Sequence, residues 1–514
     1  MLFSKFFVSI LISMSFFANT SGKDTVILVS FDGFRWDYLD MNRTNTENFD
    51  SIIQEGVRAE YVQNVFPTVT FPNHYTIMTG QYAESHGIIS NSMYDPVLNE
   101  NFSMDTNDSK WWNTFSEPLW ITNQNQGHKS GMCYWPGYDV EYKGQNASYT
   151  TSGYGFNKPF LTEEGIMPWK ERVDVIIKWL KEPDPPSFVT LYFNSPDEAG
   201  HCCGPYSVNV TEEIRKDDKI TGYLLEQLRK EKKLDEVNLI ITADHGTGAY
   251  NTSTIINCTD YLTPDLKFWA GGGNFFFLHA DNVTRAYNKL KECQKLQPHF
   301  SVFYKEEVPD DLHIKHSNRV PEIVVIMDEY WIAEISKAHN TTASEPVVTK
   351  GAHGWVPSIP SMRPFFIARG PAFKVGHKFG HINMVDIYPL ICHLLGIKPA
   401  PNNGSLDRIA HLLKSTPRTE SSSLNTGEII ALVIGTAIGL TVCMYAVIMV
   451  VKDRRLARGQ RRPGETALVA DHHQLLLIVS YCPNGMNGIR GSNSGFVAGR
   501  LAQHENQESI KTKM

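Results

Sequence analysis

The sequence TVILVSFD at residues 25–32 is a run of β-branched and aromatic residues that ends in an aspartate. Two later runs have the same form, FVTLYFNSPD at residues 188–197 and NLIITAD at residues 238–244. Apolar runs of this length are typical of strands that are buried on both faces of a parallel sheet. The three runs therefore predict parallel strands that each finish at an aspartate: Asp32, Asp197 and Asp244.

Helical patterns separate these strands. Residues 169–181 place Val173, Ile176 and Ile177 on one face, and a long charged stretch covers residues 212–234. Strands that alternate with helices predict an α/β domain, in which helices cover both faces of a central, mainly parallel sheet. Ligands bind beyond the carboxyl ends of the strands in such sheets, so the three aspartates should converge there. For any one aspartate taken alone, a helix cap is the alternative.

Histidines accompany the aspartates. Asp197 and His201 are four residues apart, Asp244 and His245 are adjacent, and His353 lies in a turn of small residues. Two carboxylates with two or three histidines suit zinc, and a third aspartate allows a second ion nearby. Two adjacent ions can clamp the entering and the leaving oxygen of a displacement at phosphorus. The pattern therefore predicts two Zn²⁺ per chain and phosphoryl or phosphodiester transfer.

Thr70, in the sequence PTVTFPNHY at residues 67–75, is the candidate nucleophile. Pro72 suits the first turn of a helix that runs towards Gly80, so Thr70 should lie at or just before the helix N-terminus. The N–H groups and the helix dipole there favour an anion, and a zinc ion would lower the pKa of the hydroxyl. An ordinary helix cap is the alternative role of Thr70.

Apolar segments near both ends predict the domain organisation. Residues 1–22 have the order of parts of a secretory signal, and residues 429–451 run without a charge for long enough to cross a bilayer as a helix. Six Lys and Arg between residues 452 and 462 mark the cytosolic flank. We expect a single-pass type I protein of the cell membrane, with a signal peptide (1–22), an extracellular catalytic domain (23–405), a juxtamembrane linker (406–428), a transmembrane helix (429–451) and a cytoplasmic tail (452–514).

Glycosylation triplets and charge agree with this topology. Ten N-x-S/T triplets precede the apolar segment and none follows it. Their asparagines are Asn42, Asn101, Asn107, Asn146, Asn209, Asn251, Asn257, Asn282, Asn340 and Asn403. The tail carries ten Lys and Arg against five Asp and Glu, so the net charge of −7 leaves −12 on the rest of the chain. An acidic domain argues against binding a nucleic-acid polymer, whose phosphates need a basic stripe.

Six cysteines fall in the expected extracellular part, where disulfides form: Cys133, Cys202, Cys203, Cys258, Cys293 and Cys392. The chain has no CxxC pair, which argues against a thiolate zinc finger. A free thiolate at Cys202 or Cys203 could compete for metal. Either cysteine could instead pair with Cys133 or Cys392, and the sequence leaves these alternatives open.

Five ordered motifs resemble the signature of the ectonucleotide pyrophosphatase/phosphodiesterase family: FDGF at 31–34, TFPNHY at 70–75, HGIISN at 86–91, PDEAGHCCGP at 196–205 and DHG at 244–246. The resemblance extends from residue 25 to about residue 405. It implies the alkaline-phosphatase-superfamily fold, a two-zinc site and a Cys258–Cys293 disulfide. The implied ligands are Asp197, His201 and His353 for one zinc, and Asp32, Thr70, Asp244 and His245 for the other.

The resemblance also implies a mechanism and a substrate class. Thr70 attacks phosphorus and forms a nucleotidyl-threonine, which water hydrolyses with release of a nucleoside monophosphate. Asn91 and the Thr70 N–H would bind the non-bridging oxygen, and Phe71 and Tyr154 would hold the base between them. Core packing is the alternative role of the two aromatics. Extracellular nucleotides such as diadenosine triphosphate are the expected substrates.

Other functions fit parts of the pattern. Relatives on this fold also cleave choline phospholipids in the manner of a phospholipase C, and only the substrate pocket can separate the two activities. A catalytically weak surface protein for adhesion or signalling is a third reading, which the intact ligand set disfavours. A sulfatase is disfavoured because the chain has no Cys-x-Pro-x-Arg or Ser-x-Pro-x-Arg sequence.

Overall fold

The computed structural model describes residues 25–41, 45–113, 116–151, 167–262, 266–334, 349–414, 444–446 and 448–452. Contacts divide the chain into two units, Met1–Pro417 and Arg418–Met514, and the fold below is that of the first. Within the ranges just given, no helix combines the length and the hydropathy of a membrane span. The expected signal peptide, most of the segment 429–451 and nearly all of the tail lie outside the described residues.

Twenty strands, β1 to β20 in chain order, lie within the described ranges. They are Thr25–Phe31, Val57–Ala59, Val62–Gln63, Met93–Asp95, Glu100–Phe102, Ser130–Cys133, Tyr149–Thr150, Phe188–Phe193, Val237–Thr242, Gly248–Asn251, Ile255–Asn257, Leu266–Gly271, Phe275–Ala280, Phe300–Tyr304, Ile323–Met327, Ile332–Glu334, Thr349–Ala352, Phe366–Arg369, His377–Phe379 and Ile382–Asn383. The α-helices there are Glu47–Glu55, Thr70–Thr79, Ala83–His86, Ser109–Trp112, Leu119–Gln124, Trp169–Trp179, Asp197–Cys203, Val208–Lys230, Thr259–Leu262, Val283–Leu296, Ile387–Leu395 and Leu406–Ile409.

An eight-stranded sheet in the order β19-β2-β18-β9-β1-β8-β6-β7 forms the centre of the unit. Strand β1 pairs in parallel with β8 and β9, β6 pairs in parallel with β7 and β8, and β18 runs antiparallel to β9 and β2. The predicted mainly parallel α/β sheet is therefore confirmed. The predicted strand 188–197 ends early, at Phe193, because Asp197 begins the next helix.

Helices cover both faces of this sheet. Phe31 of β1 contacts Phe49 of helix Glu47–Glu55, whereas its neighbour Ser30 hydrogen-bonds His74 of helix Thr70–Thr79. Because successive side chains of a strand point to opposite faces, the two helices lie on opposite sides. Every residue of β8 and β9 is buried, as expected for strands covered on both faces.

A smaller antiparallel sheet in the order β12-β13-β15-β14 has a core of its own. Helix Val283–Leu296 packs against β14 and β13. Cys258 and Cys293 are both buried in this core, and their side chains are in hydrogen-bonding contact. The expected Cys258–Cys293 disulfide is not formed in this structure, where both residues are thiols, so that pairing remains a prediction.

The folded unit extends past its predicted end at residue 405. Helix Leu406–Ile409 continues the fold, Leu413 bridges to Phe373, and the Lys414 N–H donates to the Ala372 carbonyl at 2.8 Å. The first described residues of the predicted linker 406–428 therefore belong to the same folded unit as the central sheet. These residues are folded because the apolar side chains of Ile409 and Leu412 are buried in the core.

Candidate two-metal site and nucleophile

The aspartates at the carboxyl ends of the central strands meet at one edge of the sheet. Asp32 follows β1 directly, Asp244 follows β9 by two residues, and Asp197 begins the helix after β8. The structure brings the predicted ligands together in two groups, whose ligand atoms lie within 4.8 Å of one another in each group. We name them the buried group (Asp32, Asp244 and His245) and the open group (Asp197, His201 and His353).

The buried group is closed off from solvent, since Asp32 is 3% exposed and Asp244 and His245 are fully buried. Asp244 Oδ1 accepts the N–H groups of Gly33 at 3.1 Å and of His245 at 2.9 Å. Tyr192 donates its hydroxyl to Asp32 Oδ2 at 2.6 Å. The other oxygens, Asp32 Oδ1 and Asp244 Oδ2, have no hydrogen-bond partner among the residues that the structure describes. They lie 3.4 and 3.1 Å from His245 Nε2, so two free carboxylate oxygens face one imidazole nitrogen.

The open group faces solvent through His201, whose side chain is 46% exposed. His201 Nε2 lies 3.2 Å from Asp197 Oδ2 and 3.2 Å from His353 Nε2. Asp197 Oδ1 is buried and has no hydrogen-bond partner within the described part of the chain. The His353 ring stacks on His245 with ring centroids 3.5 Å apart, so the open group and the buried group are in direct contact.

All three histidines are oriented by a backbone carbonyl. Nδ1 of each lies at hydrogen-bond distance from a carbonyl oxygen: His201 from Gly351 at 3.1 Å, His245 from Gly246 at 2.9 Å and His353 from Thr68 at 3.0 Å. A carbonyl only accepts, so Nδ1 carries the hydrogen and Nε2 presents its lone pair to the group. Metal-binding histidines are typically held in this way.

The electrostatics of the two groups differ. Burial, together with the charges of neighbouring aspartates, raises the pKa of Asp32 well above its ordinary value and that of Asp244 to about 8. Burial alone would raise the pKa of Asp197 too, but the charges of His201 and His353 outweigh it and lower that pKa. The Asp197 charge raises the pKa of His201 to about 9. Free oxygens and raised pKa values in the buried group fit a bound cation.

Thr70 is the first residue of its helix, as the sequence predicts, and the preceding residue Val69 is the cap. Its hydroxyl lies 3.4 Å from His245 Nε2, so the side chain points to the buried group rather than capping the helix. The Thr70 N–H is one of the helix's unpaired N-terminal donors. Asn91 Oδ1 accepts the Phe71 N–H at 2.8 Å, which leaves the Asn91 amino group as a donor beside Thr70.

The predicted role of Phe71 as a base platform remains a prediction. Phe71 is only 1% exposed, and its ring centroid lies 6.0 Å from those of Phe102 and Trp112. Phe102 and Trp112 therefore pack against part of the Phe71 ring, and the choice between a base platform and core packing stays open. Tyr154 lies outside the described residues.

The two cysteines that follow His201 form a disulfide, Cys202–Cys203, at the C-terminal end of helix Asp197–Cys203. The predicted alternatives, metal competition or pairing with Cys133 or Cys392, are corrected accordingly. Cys133 and Cys392 are buried thiols, and burial raises the pKa of both to about 12. Neither is therefore a reactive thiolate.

The glycosylation triplets lie mostly on the surface of the described residues. Asn251 is half-buried, and Asn42 and Asn340 lie outside the described ranges. The exposed asparagines are Asn101, Asn107, Asn146, Asn209, Asn257, Asn282 and Asn403. All ten modifications remain predictions.

Sequence reasoning missed the residues that surround the ligands. Tyr192, Ser30 and His74 lie beneath the buried group, and the Gly351 and Thr68 carbonyls orient two histidines of the open group. Only the position of His74 four residues after Thr70, on one face of a helix, was visible as a signal in the sequence.

Comparisons with known proteins agree with this fold and site. The family described as type I phosphodiesterase / nucleotide pyrophosphatase matches residues 26–356. The bis(5'-adenosyl)-triphosphatase ENPP4 of Homo sapiens is 39% identical over 443 residues, which cover 84% of this chain and 90% of that protein. Ectonucleotide pyrophosphatase/phosphodiesterase family member 5 of Homo sapiens is 36% identical over 419 residues, which cover 79% and 82%.

A solved structure is similar over the same region. Murine ectonucleotide pyrophosphatase/phosphodiesterase 5, in an inactive form in complex with AMP, has a TM-score of 0.69 at 36% identity. The match covers 76% of this chain and all of that one. Fold and site thus define a hydrolase of the metallo-phosphodiesterase class. The chain belongs to the type I phosphodiesterase / nucleotide pyrophosphatase family, as its motifs indicated.

Proposed function

We propose that this chain is a zinc-dependent ectoenzyme that hydrolyses phosphodiester and pyrophosphate bonds of extracellular nucleotides such as diadenosine triphosphate. One observation carries the proposal: the Thr70 hydroxyl lies 3.4 Å from His245 Nε2, beside two carboxylate oxygens without protein donors. A hydroxyl at a helix N-terminus beside a cation site suits attack on phosphorus. The relative named bis(5'-adenosyl)-triphosphatase supports the choice of substrate.

The residues of both groups fit zinc. Asp32, Asp244 and His245 with Thr70 would hold one ion, and Asp197, His201 and His353 the other. The donor set combines imidazole nitrogens and carboxylate oxygens, which zinc accepts. Bound zinc supplies positive charge that stabilises the phosphorus-bound oxygens and lowers the pKa of the Thr70 hydroxyl.

The chain's own residues carry the reaction in two steps. Thr70 Oγ1 loses its proton and forms a bond to phosphorus while the bond from phosphorus to the leaving oxygen breaks, which yields a nucleotidyl-threonine. The Thr70 N–H and the Asn91 amino group donate to the non-bridging oxygen that gains charge. Water then forms a bond to phosphorus while the bond from phosphorus to Thr70 Oγ1 breaks; Oγ1 regains a proton from the attacking water, and a nucleoside monophosphate is released.

The same donors favour diesters over monoesters. A terminal phosphate brings more negative charge than a diester, and Asn91 with one backbone N–H offers two neutral donors and no guanidinium. We expect the nitrophenyl ester of thymidine monophosphate to be hydrolysed much faster than nitrophenyl phosphate. Comparable rates on the two compounds would contradict this account of the oxyanion donors.

The base site is proposed to lie between Phe71 and Tyr154, whose rings would stack on the base. Stacking of a base on an aromatic side chain is worth about 1–3 kcal/mol. Tyr154→Ala should therefore lower kcat/KM for diadenosine triphosphate about tenfold to a hundredfold. Bis(nitrophenyl) phosphate has no base and is the control. An equal loss on both compounds would assign Tyr154 a structural role instead.

Topology is part of the proposal. A signal peptide at residues 1–22, a membrane helix at 429–451 and a tail at 452–514 would place the catalytic domain outside the cell. Surface protease treatment of intact cells, with the tail detected by an epitope tag, tests the orientation. Digestion should release the catalytic domain and leave the tagged tail inside.

A substrate panel on the purified protein tests the activity. Diadenosine triphosphate should be cleaved and lysophosphatidylcholine should not, and a chelator should abolish the activity until zinc is restored. Thr70→Ala serves as the matched variant, because any contaminating hydrolase would survive the substitution. Faster cleavage of lysophosphatidylcholine would replace the nucleotide function with that of a choline-phospholipid phosphodiesterase.

A further inference from the structure

Three buried polar side chains, Ser30, His74 and Tyr192, form a layer between the central sheet and helix Thr70–Thr79. Ser30 and Tyr192 are register partners on β1 and β8, so both side chains point to the same face. His74 reaches them from the helix, with its ring centroid 5.3 Å from that of Tyr192. Ser30 and His74 are fully buried and Tyr192 is 4% exposed. None of the three belongs to the buried group or the open group.

The direction of each hydrogen bond of His74 follows from its partners. His74 Nδ1 lies 2.9 Å from the Thr70 carbonyl, which only accepts, so this nitrogen carries the hydrogen. Nε2 is then an acceptor, and it lies 2.9 Å from the Ser30 hydroxyl, which donates to it. The first turn of the helix, which carries Thr70, is thereby tied to β1.

Tyr192 acts on Asp32 from the same layer. The Tyr192 hydroxyl is the donor, because an ionised carboxylate only accepts. It donates to Asp32 Oδ2 at 2.6 Å, and this bond turns Oδ1 towards His245 Nε2, 3.4 Å away. Partners of this kind orient metal ligands, and their loss typically costs about 10–100-fold in metal affinity or activity.

We propose that Ser30, His74 and Tyr192 are positioning residues, with His74 and Ser30 holding the Thr70 nucleophile in place and Tyr192 orienting Asp32. The inference rests on the proposed function. It assigns different main effects to the two sides of one layer. His74 Nδ1 lies 2.9 Å from the Thr70 carbonyl and farther, 3.5 Å, from Asp244 Oδ2, whereas Tyr192 donates directly to the ligand carboxylate of Asp32 at 2.6 Å. Loss of His74 should therefore change turnover, and loss of Tyr192 should change zinc affinity.

Four substitutions separate these effects in the full-length protein. Tyr192→Phe removes only the hydroxyl. His74→Phe keeps a buried ring but cannot donate to Thr70, whereas His74→Asn carries an amino group near the position of Nδ1 and can. Ser30→Ala leaves the His74–Thr70 bond and removes only the donor to Nε2. Tyr388→Phe is the control, since it removes a tyrosyl hydroxyl that bonds Thr122 and Ala400 away from the site.

Zinc affinity is measured by competition with a chelator, and kcat and KM with a nucleotide diester. Tyr192→Phe should weaken zinc binding about 10–100-fold. A misplaced nucleophile can cost as much as about 100-fold in rate, so His74→Phe should lower kcat by at least about tenfold while KM and zinc affinity change little. His74→Asn should restore most of the lost kcat, Ser30→Ala should show a smaller loss, and Tyr388→Phe should match the parent in both measurements.

Unchanged zinc affinity in Tyr192→Phe would overturn the role of Tyr192, and equal kcat values in His74→Phe and His74→Asn would overturn that of His74. If His74→Phe does not fold, as judged by thermal melting beside the parent, Ser30→Ala decides, and an unchanged kcat there overturns the tie to Thr70. A parent protein that binds no zinc and cleaves no nucleotide refutes the proposed function itself. That outcome is distinct from an active parent with unaffected variants.

Discussion

The buried group and the open group differ in how much of their negative charge the protein itself balances. In the open group, Asp197 is paired with His201 at 3.2 Å, and the two charges stabilise each other's ionised form. In the buried group, Asp32 and Asp244 share one histidine, His245, whose pKa burial lowers far below its ordinary value. Its imidazole is therefore neutral and offers the two carboxyl groups no charge. Without a cation, the raised pKa values of Asp32 and Asp244 favour their neutral, protonated forms, and a bound cation would compensate them as carboxylates.

This difference suggests a division of roles. The buried group is adjacent to Thr70 and closed to solvent, so it is suited to hold the nucleophile and its cation permanently. The open group exposes His201 and balances itself without metal, so it is suited to meet the substrate and to exchange its ion. The predictions below test that division, from the largest expected effect to the smallest.

The largest effect is expected at the nucleophile. Thr70→Ala should lower turnover at least about a thousandfold, since the attacking oxygen is lost. Zinc content and AMP binding should persist, because Thr70 is one of several ligands of the buried group. Thr70→Ser should keep part of the activity, as serine supplies the same hydroxyl. Steady-state rates and metal analysis check this, and substantial activity in Thr70→Ala would exclude the covalent route.

Metal removal should distinguish the two groups by rate. A chelator is expected to remove zinc in two phases, a fast one from the open group and a slow one from the buried group. Exposure of His201 and the Asp197–His201 ion pair make the open group the easier one to empty. Zinc release followed with a chromophoric chelator gives both amplitudes.

His201→Ala is the matched variant for this experiment, and it should abolish the fast phase alone. A single phase in the parent, or one ion per chain, would mean that the two groups do not hold zinc independently.

The smallest effect concerns the stability of the metal-free protein. Asp244→Asn should stabilise it by about 1–3 kcal/mol. The neutral amide replaces a buried carboxyl group whose Oδ2 lacks a hydrogen-bond partner among the described residues. Asp197→Asn should destabilise it slightly, as the ion pair with His201 is lost. The test is whether the two substitutions change the free energy of unfolding in opposite directions. Thermal or urea unfolding in the presence of a chelator measures both variants. Changes in the same direction would contradict the electrostatic difference between the buried group and the open group.

The pH dependence of the Asp244 effect follows from its pKa. Burial raises that pKa from an ordinary 3.8 to about 8, so the acid is more easily ionised in the unfolded chain. The cost of burying it is absent below pH 3.8, grows as the pH rises and is complete above about pH 8. The gain from Asp244→Asn should grow over the same interval. For Asp197→Asn the loss should disappear at low pH, because the pKa of Asp197 is lowered.

The local sequence pattern was enough to predict the strand ends and the helix start that carry the site residues. The apolar runs before Asp32 and Asp244 predicted buried parallel strands because such strands carry an unbroken apolar signal. The motif around Thr70 predicted a helix start because Pro72 suits the first turn. The family resemblance then supplied the grouping of the seven ligands. His353 lies 109 residues after Asp244, so pattern alone could not have placed it beside His201.

Tertiary packing decided what surrounds those ligands. The contacts of Phe71 with Phe102 and Trp112, and the disulfide between Cys202 and Cys203 at the end of one short helix, were not predicted. Tyr192 reaches Asp32 only because β1 and β8 pair in one register. Sequence determines periodicity and chemical type, which are local properties. The partner of each buried polar atom depends on segments far apart in the chain, and only the folded structure brings them into contact.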